Sequence, residues 1–302
     1  MQNKKKIYYN YLEEKIIPIL IPLENERKKT VRNVFISSGI MFILGIVFAY
    51  LFIYISMQSD LTLLILPFFL FLMYLFFIKS IVNIILKNRE YQAKLVKNVL
   101  PLFFEPIAKF KKWPKNNNTE TIINSQLFPN FDTQEDVSCI FGIYKNTNII
   151  ISDTRLTLPV KGGTKPNLFK GTTIQLELPK TINNHIILIS KNKKVVNNLN
   201  QINPHIQELN KYLYTFAKNT KNIDIINKDF WNIIKRFGET YIAKSFGFSY
   251  NQNTVYIALK QKNPMQFGFI LNSLLDKKSY NNLIERFAII YELIDFINEQ
   301  NN

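Results

Sequence analysis

Apolar and polar positions divide this chain into three regimes. From Val34 to Met57 there are 24 consecutive residues without a charge, where about 20 suffice to cross the hydrocarbon core of a bilayer. Leu61 to Ile78 adds a second uncharged run of 18 residues. Lys79 follows, then the mostly apolar stretch Ser80 to Leu86, and a lysine there can reach the headgroups while the helix continues. Pro67 lies inside the second run, where a kink is tolerated. Neither run has the polar face of an amphipathic core helix. The first run starts only after 33 residues and ends without a small-residue cleavage site, which argues against a signal peptide. Both runs are therefore expected to be membrane spans. Only Gln58, Ser59 and Asp60 separate them, a link so short that it forces an antiparallel helical hairpin with both chain ends on one side.

Before the spans, Tyr8, Leu12, Ile16 and Ile19 recur at helical spacing. One reading is an interfacial helix with Lys4, Lys5 and Lys6 on anionic lipid. The favoured reading is a helix that packs on the cytosolic domain, because an anionic surface would repel Glu13 and Glu14. Glu24 to Arg32 leads into the first span. After the spans, a helix is expected from Asn88 to about Asn98, ahead of Pro101 and Pro106. Val137–Ile143 and Thr147–Ser152 flank a hairpin turn at Tyr144-Lys145-Asn146. Arg155–Val160, the alternating Thr172–Leu178 and His185–Ser190 are further strands. Ile206–Ala217 and Lys228–Lys244 have helical periodicity. A second hairpin joins Phe246–Tyr250 to Thr254–Leu259, and a last helix, capped by Ser279, carries the stripe Leu283, Phe287, Ile290, Ile294 and Ile297. Grouped strands with helices before and after predict an α+β domain: a transmembrane helical hairpin followed by a cytosolic antiparallel sheet flanked by helices, with barrel and open sheet both open. The expected division is 1–33 for the N-terminal helix, 34–86 for the hairpin and 87–302 for the α+β domain, long enough for a sizeable core.

Charge sets the orientation. Residues 1–33 hold eight Lys and Arg, and Lys87, Arg89, Lys94 and Lys97 follow the second run, whereas the turn holds none and carries Asp60. The excess of basic residues faces the cytoplasm, so both termini are expected there, with the chain multi-pass in a bacterial inner membrane. The formal charge of +16 comes from 32 Lys and only 6 Arg, beside 36 Asn and 44 Ile. All three abundant types are read from A/T-rich codons, so the Lys excess reflects codon bias as readily as selection. Base readout favours Arg, and nucleic acid is not an expected partner. With 47 % apolar residues the chain is not disordered. One Cys and two His exclude a disulfide scaffold and disfavour a zinc site.

The order of these features, with the segment SQLFPNFDTQEDVSCIFGIYKNTNIIISDTRL and the later LFKGTTIQLELPK, resembles the bacterial domain-of-unknown-function 3137 family. The matching positions are Leu127-Phe128, Glu135-Asp136, Gly142 and Phe169-Lys170-Gly171, with Phe230–Phe237 resembling the family's later helix and Phe246–Leu259 its apolar hairpin. The chain departs from the family at Asp153-Thr154-Arg155. The resemblance implies the fold and the membrane hairpin, and no activity.

Candidate chemistry is sparse. Asp132, Glu135 and Asp136 could hold a hard cation through carboxylate oxygens, or cap a strand and pair with Lys. Asp153 and Arg155, two apart on a strand, share a face, as an ion pair or a ligand clamp, the ion pair being favoured. Lys109, Lys111, Lys112 and Lys115, interleaved with Phe110 and Trp113, could touch anionic headgroups or form a solvated basic loop. His185 and His205 have no evident acid or nucleophile beside them. No catalytic residue, cofactor or metal is assigned. The expected function is a membrane-anchored α+β domain that binds a protein, lipid or small ligand at the membrane surface, with self-association through the hairpin as a further interaction. The alternative is a membrane-tethered enzyme acting on a cytosolic or lipid substrate.

Overall fold

The computed structural model describes residues 2–56, 62–103, 105–110, 119–158, 166–191, 199–221, 223–261 and 270–300. In chain order the elements are α1 (Gln2–Tyr11), a π-helical turn (Leu12–Ile16), α2 (Ile17–Ser56), α3 (Thr62–Asn98), a 3₁₀ turn (Leu100–Phe103), β1 (Lys109–Phe110) and α4 (Thr119–Asn124). They continue with β2 (Thr133–Tyr144), β3 (Thr147–Thr157), β4 (Asn167–Glu177), β5 (His185–Ser190), β6 (Asn200–Ile202), α5 (Gln207–Tyr212) and β7 (Leu213–Ala217). The chain closes with α6 (Lys228–Tyr241), β8 (Ser245–Asn251), β9 (Thr254–Lys260) and α7 (Lys277–Gln300). They form two compact units: residues 1–13, 100–266 and 277–302, and residues 14–99 and 267–276.

The first unit is α+β. Among the described residues its nine strands form one open antiparallel sheet in the order β1-β2-β3-β4-β9-β8-β5-β7-β6, not a barrel. The β2–β3 hairpin turns at Lys145 and Asn146, whose φ values of 46° and 60° are left-handed at both positions, as a two-residue turn between twisted strands requires. The central strands β5, β8 and β9 are buried almost throughout, since both faces of the sheet are covered. On one face α6 and α7 meet β8 around Phe230, whose ring lies 5.2 Å from Phe248 and 5.9 Å from Phe296. The α7 stripe Leu283, Phe287, Ile290, Ile294 and Ile297 is buried as expected. On the other face Ile187, Ile189, Phe216, Tyr256 and Ala258 pack with Leu156, Phe169, Leu127 and Ile122 of α4. Continuous burial replaces alternation wherever a strand is covered on both sides.

Several boundaries differ from expectation. Arg155–Thr157 continues β3 instead of opening a new strand. Ile206–Ala217 divides into α5 and then β7, because Leu213–Ala217 pairs with both β5 and β6 and tertiary pairing outweighs helical periodicity. Helix α7 starts at Lys277, so Ser279 lies inside it and does not cap it. The unit boundary is not at residue 33, because α2 runs unbroken through it. Residues 1–13 belong to the α+β unit, where Tyr8 is buried and the Tyr9 hydroxyl donates to Asn281 Oδ1 of α7 at 3.0 Å. The buried stripe is Tyr8, Leu12, Ile16 and Leu20, while Ile19 is 43 % exposed. A spacing of four drifts round an α-helix, and the wider π turn at Leu12–Ile16 compensates that drift.

In the second unit, α2 is a helix long and apolar enough to cross a membrane, and most of its apolar side chains are exposed: Phe35, Phe42 and Tyr50 are 59 %, 62 % and 71 % accessible. The second expected span falls on α3, where most side chains before Ile78 lie outside the described residues.

One glycine is demanded by packing. A Cβ on Gly171 of β4 would stand 2.0 Å from the carbonyl oxygen of Leu259 in β9, the neighbouring strand in mid-sheet. Gly171→Ala must part the two strands, and should lower stability by about 3 kcal/mol. Thermal melts in detergent check this, and an unchanged melting temperature would contradict the packing.

Candidate functional site

The predicted acidic cluster does not assemble. Glu135 faces Arg155 across β2 and β3, with Oε2 3.9 Å from Nη1. Asp136 accepts hydrogen bonds from Thr154 Oγ1 at 2.6 Å and Gln134 Nε2 at 2.8 Å. The backbone N–H of Asp132 donates to Thr157. Among the described residues no group of three or more His, Cys, Asp or Glu is placed to hold a metal ion. Lys109 is exposed in β1, at the sheet edge. Lys111, Lys112, Trp113 and Lys115 lie outside the described residues.

Asp153 and Arg155 do not pair with each other. Arg155 donates through Nε to Asn167 and meets Glu135. Asp153 lies opposite Thr172, and its Oδ1 is buried without a hydrogen bond. Burial pushes its carboxyl up to about 8, Arg286 and Lys170 pull it part of the way back, and Asp136 adds to the rise. The Arg286 guanidinium stacks over Tyr241 at 5.2 Å, and its Nε is likewise unpartnered. These groups join α6 and α7 to the sheet.

His185 and Cys139 are sealed in the core. His185 is 5 % exposed and its Nε2 lies 3.0 Å from Ser249 Oγ, itself 1 % exposed. Burial holds the imidazole down to about 4, so it is neutral at pH 7. Cys139 accepts a hydrogen bond from Ser152 Oγ at 2.9 Å. Burial pushes the thiol up to about 11, so it is not the thiolate a nucleophile needs. His205 is exposed in a loop before α5.

The second unit holds a better-built site, one that sequence reasoning missed. Glu24 and Arg27, one turn apart on α2, are 1 % and 7 % exposed. Arg27 grips the carboxylate through Nε and Nη2, both at 2.8 Å, and donates through Nη1 to the carbonyl of Ile270 at 2.7 Å. The carboxylate also accepts from the Leu274 N–H at 2.9 Å and Ser273 Oγ at 3.1 Å. Asn88 Oδ1 of α3 accepts from the Ile270 N–H at 2.8 Å. Burial alone would raise the Glu24 pKa, but the donors from Arg27, Leu274 and Ser273 outweigh it and hold the carboxyl down to about 2. The only signal in the sequence was the i, i+3 spacing of two opposite charges, which is common on exposed helices; nothing marked residues 270–274 as their partner.

Beside this clamp, α2 and α3 part to leave a cleft of about 480 Å³. Glu26, Thr30, Asn33 and Ser37 line it from α2, at spacings of four, three and four. Lys87, Glu90, Tyr91 and Lys94 line it from α3, with Arg27, Val34 and Ile270 completing the wall. Lys94 bridges across to Glu26, and Lys87 pairs with Glu90 at 2.8 Å along α3. Glu26 faces Lys94 while Val34 lies near Ile84 and Lys87, so the two helices run antiparallel here.

No protein-family model matches the chain, and no curated protein matches it. A solved structure does: the crystal structure of the mycobacterial trehalose monomycolate transport factor A, TtfA, at 8 % identity and a TM-score of 0.38, over 68 % of this chain and 95 % of that one. A likeness this loose transfers neither fold nor function.

Glu24→Gln leaves Arg27 buried against an uncharged partner and should cost about 3 kcal/mol or more. Hydrogen exchange should show the amides of Ile270 and Leu274 losing protection; retained protection would refute the clamp. Asp153→Asn tests the buried acid. A carboxyl raised by folding gives stability that is complete below its ordinary 3.8 and lost as pH rises through about 8. The melting temperature of Asp153→Asn relative to wild type should therefore climb between pH 4 and pH 8 and then level. A constant difference would contradict it.

Proposed function

We propose that the chain is a two-span inner-membrane protein with both termini in the cytoplasm, whose α+β unit works as a binding module at the membrane surface. The observation that carries this reading is the exposed apolar length of α2. A helix that leaves Phe35, Phe42, Phe48 and Tyr50 well over half exposed in water would show more apolar surface than a soluble chain tolerates. The same surface costs nothing in lipid. The charge-free run 61–78 on α3 supplies the second span, and α3 returns antiparallel beside α2 at the charged base. The basic residues on both helices flank the apolar runs on the same side, as a cytoplasmic face requires. The resemblance to the domain-of-unknown-function 3137 family implies the same topology.

Binding is favoured over catalysis because Cys139 and His185 are buried with their neighbours, while Glu135 meets Arg155 and Asp136 accepts from Thr154 across the strands. A partner protein, a lipid or a small ligand would instead meet the polar cleft at the base of the helices and the solvent-facing surface of the α+β unit.

Reporter fusions test the topology. A fusion after Asn302 should be active only as a cytoplasmic reporter, and one inserted at Ser59 only as a periplasmic reporter. A periplasmic signal from Asn302 would overturn the orientation.

A further inference from the structure

We infer that the cleft between α2 and α3 holds the headgroup of a phospholipid that carries both a phosphate and a primary ammonium, an inference that rests on the membrane reading above. Its depth is given twice over. On α2 the cleft begins among charged residues at Glu26 and ends at Ser37, just inside the apolar run that starts at Val34. On α3 it begins at Lys87, the first charge after the apolar stretch ending at Leu86, and ends at Lys94. Both helices place it where headgroups meet hydrocarbon.

Its charge selects the ligand. Arg27 is fully engaged by Glu24 and the Ile270 carbonyl, which leaves two lysines and two glutamates facing the space. All four side chains are about half exposed or more, with Lys87 and Glu90 at 50 % and 63 %, Lys94 and Glu26 at 51 % and 52 %. Pairs so exposed add little to stability, so a ligand can exchange them at little cost. A headgroup bearing only phosphate would take the lysines and leave Glu26 and Glu90 facing an anion. One with a phosphate and an ammonium takes both pairs, phosphate to lysine and ammonium to glutamate, with no net charge left over. Thr30 and Ser37 already spend their hydroxyl hydrogens on the carbonyls of Glu26 and Val34, each at 2.9 Å. Their oxygens therefore enter the cleft as acceptors, which suits N–H donors. A quaternary ammonium has no N–H to give, so phosphatidylcholine should fit worse than phosphatidylethanolamine.

The test is native mass spectrometry of the full chain in detergent, titrated with phosphatidylethanolamine, phosphatidylglycerol and phosphatidylcholine of the same acyl chains. Phosphatidylethanolamine should bind about tenfold more tightly than either, the effect of one to two charge-assisted hydrogen bonds. Glu26→Gln with Glu90→Gln should erase the preference over phosphatidylcholine and favour phosphatidylglycerol. Lys87→Gln with Lys94→Gln should weaken all three, and Lys87→Arg with Lys94→Arg should restore binding, which shows that loss is not misfolding. Equal binding of the three lipids, or a preference that survives both glutamine pairs, would overturn the inference. So would soluble glycerophosphoethanolamine that competes as strongly as the lipid, because the ligand would then be a free phosphoamine. Alkaline carbonate extraction separates the two levels: release from membranes removes the membrane reading itself, whereas a retained chain indifferent to headgroup removes this inference alone.

Discussion

Two charges taken out of water hold the base of this molecule. Removing Glu24 and Arg27 from solvent costs several kcal/mol per ion, and the pair is sustained because each polar atom finds a partner: two bonds between the side chains, one to the Ile270 carbonyl, and two more from Ser273 and Leu274. The partners come from residues far along the chain. The described residues 270–276 are an excursion between β9 and α7 that belongs to the helical unit. That excursion is specified by hydrogen bonds to named backbone atoms and not by apolar burial alone, so α2 and α3 are tied to one stretch of chain in one register.

The α+β unit follows a different logic. Its sheet is covered on both faces, and its buried polar groups sit where no substrate can reach them. His185 and Ser249 would make a proton-relay pair at a surface; at 5 % and 1 % exposure they are a hydrogen bond in a core. Asp153 and Arg286 show what burial does to charge: the acid is driven toward its neutral form, and the guanidinium settles over an aromatic ring. These features stabilise a scaffold, and the proposed recognition falls to the exposed surfaces and to the cleft in the helical unit.

Much of the fold was legible because local rules agreed with the tertiary outcome. The hairpin turn at Lys145-Asn146, the strand His185–Ser190 and the α7 stripe all follow from turn chemistry or periodicity. The α5–β7 break was not legible, since pairing with β5 and β6 decides it against a helical periodicity that runs on to Ala217. Gly171 was marked by resemblance alone; the structure gives that one residue a packing reason of its own, since a Cβ there would strike the Leu259 carbonyl. The candidate sites fared worse. Glu135, Asp136 and Arg155 looked like chemistry and are cross-strand contacts. Glu24 and Arg27 looked like an ordinary helical charge pair and are the clamp. Spacing reveals which residues share a face, and burial decides whether they act, but burial depends on residues more than 240 positions away.

On the proposed reading, α2 passes from a headgroup-level cleft into lipid. A spin-label scan along α2 from Thr30 to Tyr54, in a background with Cys139→Ser, measures this through collision with oxygen and with a water-soluble nickel reagent. Nickel accessibility at Thr30 and Asn33 should give way to oxygen accessibility deepest near Ile43 to Val47. Nickel accessibility along the whole helix would place α2 in water and contradict it.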